Sequence, residues 1–167
     1  MKIPTTLVEY PSKESIANIH QFLQTHPAGV LAEVGEDGWP HASVIYFIVD
    51  KNFGIYFATK TNTKKYQNLS NDPHVMLVAF HQSTQATAQI KGSVVEVSDP
   101  ATSRSIVDKI EDVARQYSIS GVAPILKLDT GDYVAYELKP DTIKFSMFLR
   151  PDPVTYDTYE TLVFRRD

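Results

Sequence analysis

Between residues 29 and 97 the chain runs as short β-branched and aromatic segments closed off by Gly, Asp and Asn clusters, with one helical stretch among them. Gly29-Val-Leu-Ala-Glu-Val34 reads as a strand, and Gly35-Glu-Asp-Gly38 as a turn whose glycines tolerate positive φ. Pro40 restricts Trp39 and starts the next strand, His41 to Val49, whose residues are mainly β-branched and aromatic. Asp50-Lys-Asn-Phe-Gly54 is a second hairpin turn, leading into a strand over Ile55 to Ala58. Further strands are expected at Val75–Phe80 and at Thr87–Val97, where Gly92 marks a bulge or a close backbone approach. Tyr133–Leu138 and Thr142–Phe148 read as two more, joined by Lys139-Pro-Asp141, and Thr161–Phe164 as a short last one. A parallel sheet would need a helix after nearly every strand. Six or seven short strands with hairpin turns predict an antiparallel barrel instead.

Helices flank these strands. Ser12 opens one of about three turns, with Ile16, Ile19, Phe22 and Leu23 on one face at helical spacing, and Pro27 follows its end. Asp99 and Pro100 open another that runs to about Tyr117, with Ile106, Val107, Ile110, Val113 and Ala114 as its apolar stripe. Residues 118–131 carry Gly121, Pro124 and Gly131 as breakers and read as irregular. With 167 residues, 43% hydrophobic and 22% charged, one domain over 1–167 is expected, with a core at about 12–148 and a tail at 149–167.

The short helix after Thr63 departs from local electrostatic logic. Thr63 (or Asn62) is a good N-cap, yet the first helical positions are Lys64 and Lys65 and the first turn holds no acid. The helix dipole already supplies partial positive charge there, so two cations cost a few tenths of a kcal/mol each unless an anion sits between them. Free N–H groups, the hydroxyls of Thr59 and Thr63 and two ammonium groups make a plausible phosphate seat. The competing reading is a solvated helix face, where lysine pairs are common and screened.

Other chemistries are excluded or unsupported. The absence of cysteine removes disulfides, thiol catalysis, iron–sulfur clusters and cysteine zinc sites, so redox chemistry requires a bound cofactor. A net charge of −4 argues against nucleic acid as a partner. No run approaches the length of a membrane span, and Met1–Tyr10 lacks the pattern of a signal peptide, which predicts a cytoplasmic protein with no membrane partner. There is no Gly-x-Gly-x-x-Gly, no P-loop lysine and no Gly-x-Ser-x-Gly. None of the five histidines falls in a His-x-x-x-His pair, and no metal site is expected. His41 and His81 near strand ends are favoured as bonded to backbone carbonyls rather than as ligand contacts. A planar, phosphate-bearing ligand lying across the second and third strands, such as flavin mononucleotide (FMN), satisfies the pattern.

Gly35-Glu-Asp-Gly-Trp-Pro-His-Ala-Ser-Val-Ile-Tyr-Phe47, Ile55-Tyr-Phe-Ala-Thr59, Thr63-Lys-Lys-x-x-Asn-Leu69 with Asp72-Pro-x-Val75, and Ile90-Lys-Gly-x-Val94 together resemble the pyridoxamine 5′-phosphate oxidase-related FMN-binding split-barrel proteins, over residues 12 to 148. The resemblance implies a six-stranded antiparallel split β-barrel with flanking helices, a homodimer, and FMN at the subunit interface. It implies that Lys64 and Lys65 hold the phosphate with Thr63 before them, and that Ala58 and Thr59 end a strand beside the phosphate and ribityl chain. Ser43, Val44, Ile45 and Tyr46 match the strand lining the isoalloxazine. Two cofactor-binding positions depart from the oxidases proper: Ser43 stands for their Arg and Thr87 for their Gln. The chain also ends Thr161-Leu-Val-Phe-Arg-Arg-Asp167 instead of their Trp-Arg-Leu-x-Pro segment. It is thereby similar to the shorter general-stress-type members, and pyridoxamine phosphate is not the expected substrate. The first functional expectation is an FMN-dependent oxidoreductase taking hydride from a nicotinamide donor or a small substrate, with Tyr46, His41 and His81 as candidate proton donors. The alternatives are a non-catalytic FMN binder, and a haem- or deazaflavin-binding split barrel.

Overall fold

The computed structural model describes residues 12–117, 119, 131–147 and 160–164. The elements run α1 (Lys13–Thr25), β1 (Ala28–Val34), β2 (Pro40–Tyr46), β3 (Ile48–Val49), β4 (Ile55–Lys60), α2 (Lys64–Asn71), β5 (His74–His81), β6 (Ala86–Glu96), α3 (Pro100–Tyr117), β7 (Tyr133–Met147) and β8 (Glu160–Val163). All strand pairs are antiparallel, in the order β2-β1-β5-β6-β7-β4-β3, with β8 also paired to β7. Among the described residues no helix is long and apolar enough to cross a membrane, and no cluster of three or more His, Cys, Asp or Glu could hold a metal ion.

Period-two patterning closes the core. On β5, Val75, Leu77 and Ala79 are buried while His74, Met76 and Phe80 between them are exposed. Ala86, Ala88 and Ile90 of β6 join them inside, with Leu31, Phe47, Phe57, Ile143 and Phe145 from neighbouring strands. Helix α1 starts at Ser12, whose Oγ accepts the Ser15 N–H at 3.1 Å, and sends Ile19, Phe22 and Leu23 into that core. Ile16 stays at the rim, 37% exposed. Helix α3 covers β4 and β7 from outside through Ile106 and Ile110, against Ala135, Tyr46 and Tyr56.

Three expectations are corrected. The run 41–49 is two strands: Pro27, opposite Phe47 in the β1–β2 register, accepts the Phe47 N–H at 2.9 Å but has no N–H to return, so the ladder ends there. Residues 133–147 are one strand, not two joined by a turn at 139–141. The register passes from Lys91↔Thr142 to Gly92↔Pro140, so Asp141 is the extra residue of a bulge. Pro140 has no N–H to lose there. A Cβ on Gly92 would collide with the Lys139 carbonyl oxygen, which explains that glycine. The sheet therefore holds eight strands rather than six, the break at Phe47 and the addition of β8 raising the number. Expectations for residues 1–11, 118, 120–130, 148–159 and 165–167 lie outside the described residues.

The sheet curls until β2, at one end of its order, approaches β4 near the other, and these two strands share no hydrogen-bonded register. The barrel is split there, with α2 packed against β1 and β4 beside the opening.

Candidate functional site

The split holds a cavity of about 410 Å³, within the range of small-molecule sites. Each wall comes from one element. Strand β2 supplies His41 through Tyr46, and among the described strands it pairs on one edge only, to β1. Strand β4 supplies Ala58 and Thr59; Thr63, Lys64 and Lys65 come from the start of α2; Glu33 comes from β1 and Ile110 from α3. Nine of the ten positions expected from sequence therefore meet: Ser43, Val44, Ile45, Tyr46, Ala58, Thr59, Thr63, Lys64 and Lys65. Thr87 does not line this cavity. It lies on β6, paired with Phe80 on one side and Ser146 on the other.

The hydroxyls at the helix start are committed. Thr63 Oγ1 donates to the Lys60 carbonyl at 2.8 Å and accepts the Tyr66 N–H at 3.2 Å. Its proton being spent, the 3.0 Å contact with Thr59 has Thr59 as donor. Thr63 is thus a cap that shapes the seat. Replacing it by alanine is expected to cost about 1 kcal/mol of stability in denaturant unfolding, and an unchanged midpoint would show that Tyr66 N–H and Lys60 C=O find other partners. The backbone N–H groups of Lys64 and Lys65 are the first of the helix and have no carbonyl one turn back within it.

The two lysines differ in setting. Lys64 is half-exposed, with Nζ 3.5 Å from Glu36 Oε2, and Glu36 also accepts from Asn71 Nδ2 at 2.9 Å. Lys65 is turned inward. Burial lowers its pKa from the ordinary lysine value, while the nearby Glu33 carboxylate opposes the change. Glu33 is only 5% exposed, and burial pushes its pKa up against the Lys65 ammonium, the Asn68 amide and His41. Asn68 stands beside Glu33, and neither of its amide atoms reaches a partner at hydrogen-bond geometry.

Unpaired buried atoms concentrate here. Glu33 Oε2, His41 Nε2 and Ser43 Oγ, all on cavity-lining residues, lack a hydrogen-bond partner. Such atoms call for a polar ligand or ordered water. His41 Nε2 is 3.7 Å from Asp37 Oδ1, too long for a hydrogen bond. His81 is elsewhere: its Nδ1 meets Thr84 Oγ1 at 2.8 Å and its ring packs on His26, with centroids 4.3 Å apart. Sequence reasoning missed Glu33, Ala42 and Ile110. An acid two residues from Leu31, on the face of β1 that alternation turns inward, was the available signal for Glu33.

The family model described as pyridoxamine 5′-phosphate oxidase matches residues 16–147. No curated protein matches the sequence. Among solved structures, a Clostridium acetobutylicum protein related to general stress protein 26 of Bacillus subtilis is 13% identical, with 92% of this chain and 96% of that one covered at a TM-score of 0.64. A pyridoxamine 5′-phosphate oxidase-related, FMN-binding protein of Nostoc punctiforme is 11% identical, with coverages of 99% and 100% and a TM-score of 0.57. A heme-binding protein of Mycobacterium smegmatis is 16% identical, with coverages of 93% and 60% and a TM-score of 0.66. At such identities these three establish a shared fold.

Proposed function

The chain belongs to the pyridoxamine 5′-phosphate oxidase family, and from that premise we propose that its cavity binds FMN and that the protein is an FMN-dependent oxidoreductase acting as a homodimer. The observation that carries the reading is the polarity of the cavity. One end holds the free N–H groups of α2 and the Lys65 ammonium, and the other is walled by the unpaired edge of β2 with Val44, Ile45 and Tyr46. A phosphate suits the first end and a planar heteroaromatic ring the second. A bound flavin would supply two-electron chemistry. The chain's own part is to hold the phosphate through Lys65, Lys64 and the helix N-terminus, and to offer Ser43 Oγ and the β2 edge to the ligand.

The homodimer reading is supported by an uncovered sheet face. Val44 is 64% exposed, Val30 42%, Met76 38% and Phe80 56%. Val30 is in register with both Val44 and Val78, so these residues form one continuous apolar strip across β2, β1 and β5. A second copy covering this strip would bury it. Thr87, opposite Phe80, points to the same face, so in the proposed dimer it lies on the surface that the second copy would cover.

Absorption of concentrated protein, taken after incubation with FMN and desalting, tests the reading. Retained bands near about 370 and 450 nm, as in oxidised flavin, are expected, with elution at twice the 18.8 kDa of one chain. A flat spectrum sinks the assignment, and a Soret band after incubation with haem would replace it. Stoichiometric FMN without NAD(P)H oxidation would leave a flavin binder that is not an oxidoreductase.

A further inference from the structure

Building on the FMN reading of this cavity, we propose that Glu33 makes occupation of the phosphate seat proton-linked: when a phosphate engages Lys65, the Glu33 carboxylate takes up one proton from solvent and remains in the site as a neutral acid.

The geometry sets two anions against one cation. Glu33 is buried on β1 in register with His41 of β2 and Val75 of β5. From β2 it is faced by His41 and Ser43, and from α2 by Lys65 and Asn68. Val75 of β5 and Ile110 of α3 bring no charge. Lys64 is turned to Glu36, and Asp37 lies beside His41 in the exposed turn. Lys65 is thus the one lysine or arginine set against Glu33 among the described residues, and it lines the same cavity as the helix N-terminus where a phosphate would dock.

An arriving dianion takes over Lys65 and adds a like charge near a carboxylate that water scarcely reaches. Both changes favour the neutral acid, and burial already moves Glu33 in that direction. The new O–H has ready acceptors in the phosphate and in Asn68 Oδ1, which is buried and without a partner. Five of the six unpaired buried side-chain atoms among the described residues belong to Glu33, His41, Ser43 and Asn68, a cluster whose hydrogen bonds the described residues do not complete.

Linkage fixes the sign. A ligand whose bound state holds one more proton binds more tightly as pH falls. The phosphate's own second ionisation, near about 6, acts oppositely at lower pH, so the useful window is about pH 7 to 8.5. FMN is titrated there by fluorescence quenching, with calorimetry of the wild-type protein in two phosphate-free buffers of different ionisation enthalpy. The expected results are a Kd rising up to about tenfold per pH unit, uptake of close to one proton per FMN, and loss of the slope in Glu33→Gln with binding retained. His41 and Lys65 can produce the same sign, so a slope that survives in Glu33→Gln, or vanishes in His41→Gln, overturns the proposal. FMN binding with no proton uptake overturns it and leaves the FMN reading intact. No FMN binding at any pH in the window overturns both.

Discussion

Phe57→Ala is expected to lower stability by about 3–5 kcal/mol, the range for removing a fully buried aromatic ring. Phe57 lies in the middle of β4 with no exposed surface. Its ring stacks on Tyr136, its register partner across β7, with centroids 5.6 Å apart and planes 18° apart. Truncation therefore loses both the buried area and an aromatic pair worth about 0.5–1.5 kcal/mol on its own. In a chain of this size each kcal/mol moves Tm by about 2–4 °C, so thermal unfolding should shift down by about 10 °C. Comparisons must be made at one protein concentration, because the proposed dimer would couple Tm to concentration. Val95→Ala, at a β6 position 49% exposed and outside the proposed interface strip, is the control and should change stability by well under half as much. Equal effects would mean that the packed face of the sheet has been misassigned. Ala58 and Thr59 follow Phe57 directly and line the cavity, so the same variant should also loosen the ligand site.

What could be read from sequence was whatever local chemistry decides. Ser12 and Thr63 cap α1 and α2 as their side-chain oxygens predict. Asp50 organises its turn by accepting the Asn52 and Gly54 N–H groups, each at 2.8 Å. Gly92 marks a real bulge. The errors came where a distant strand overrides a local rule. Pro140 reads as a breaker, yet the chain continues through it because β7 takes up Asp141 as a bulge and Gly92 of β6, with no Cβ, admits the Lys139–Pro140 backbone. Phe47 reads as one more strand residue, but Pro27 across from it has no N–H with which to continue the ladder. The site follows the same division. The cavity residues between Ala58 and Lys65, proposed to hold a phosphate, lie close together in sequence and were legible as a group. Glu33 and Ile110 reach it only because the sheet curls and α3 packs across the split, which no spacing records.

Lys65→Ala and Lys64→Ala, adjacent in sequence, are expected to differ widely in their effect on FMN affinity. Lys65 faces the cavity, where water is scarce, and a charge-assisted bond there contributes about 1.5–3 kcal/mol. Its removal should weaken FMN binding by about 10- to 150-fold, measured by fluorescence titration at fixed pH and salt. Lys64 is half-exposed and held by Glu36 across a 3.5 Å ion pair. Such surface pairs are worth at most about 1 kcal/mol, and a phosphate engaging Lys64 must draw it from Glu36, so its loss should cost no more than about fivefold. Raising salt should erode the Lys64 contribution first, since exposed charges are screened more strongly than buried ones. The double variant should approach the sum of the two losses if each lysine bonds the phosphate separately. The dependence on position is the informative part. Equal losses would place the phosphate between the two lysines, and a larger loss at Lys64 would place it on the outer face of α2, outside the split. No loss in either variant would return both lysines to an ordinary solvated helix start, whose unfavourable interaction with the dipole nothing relieves.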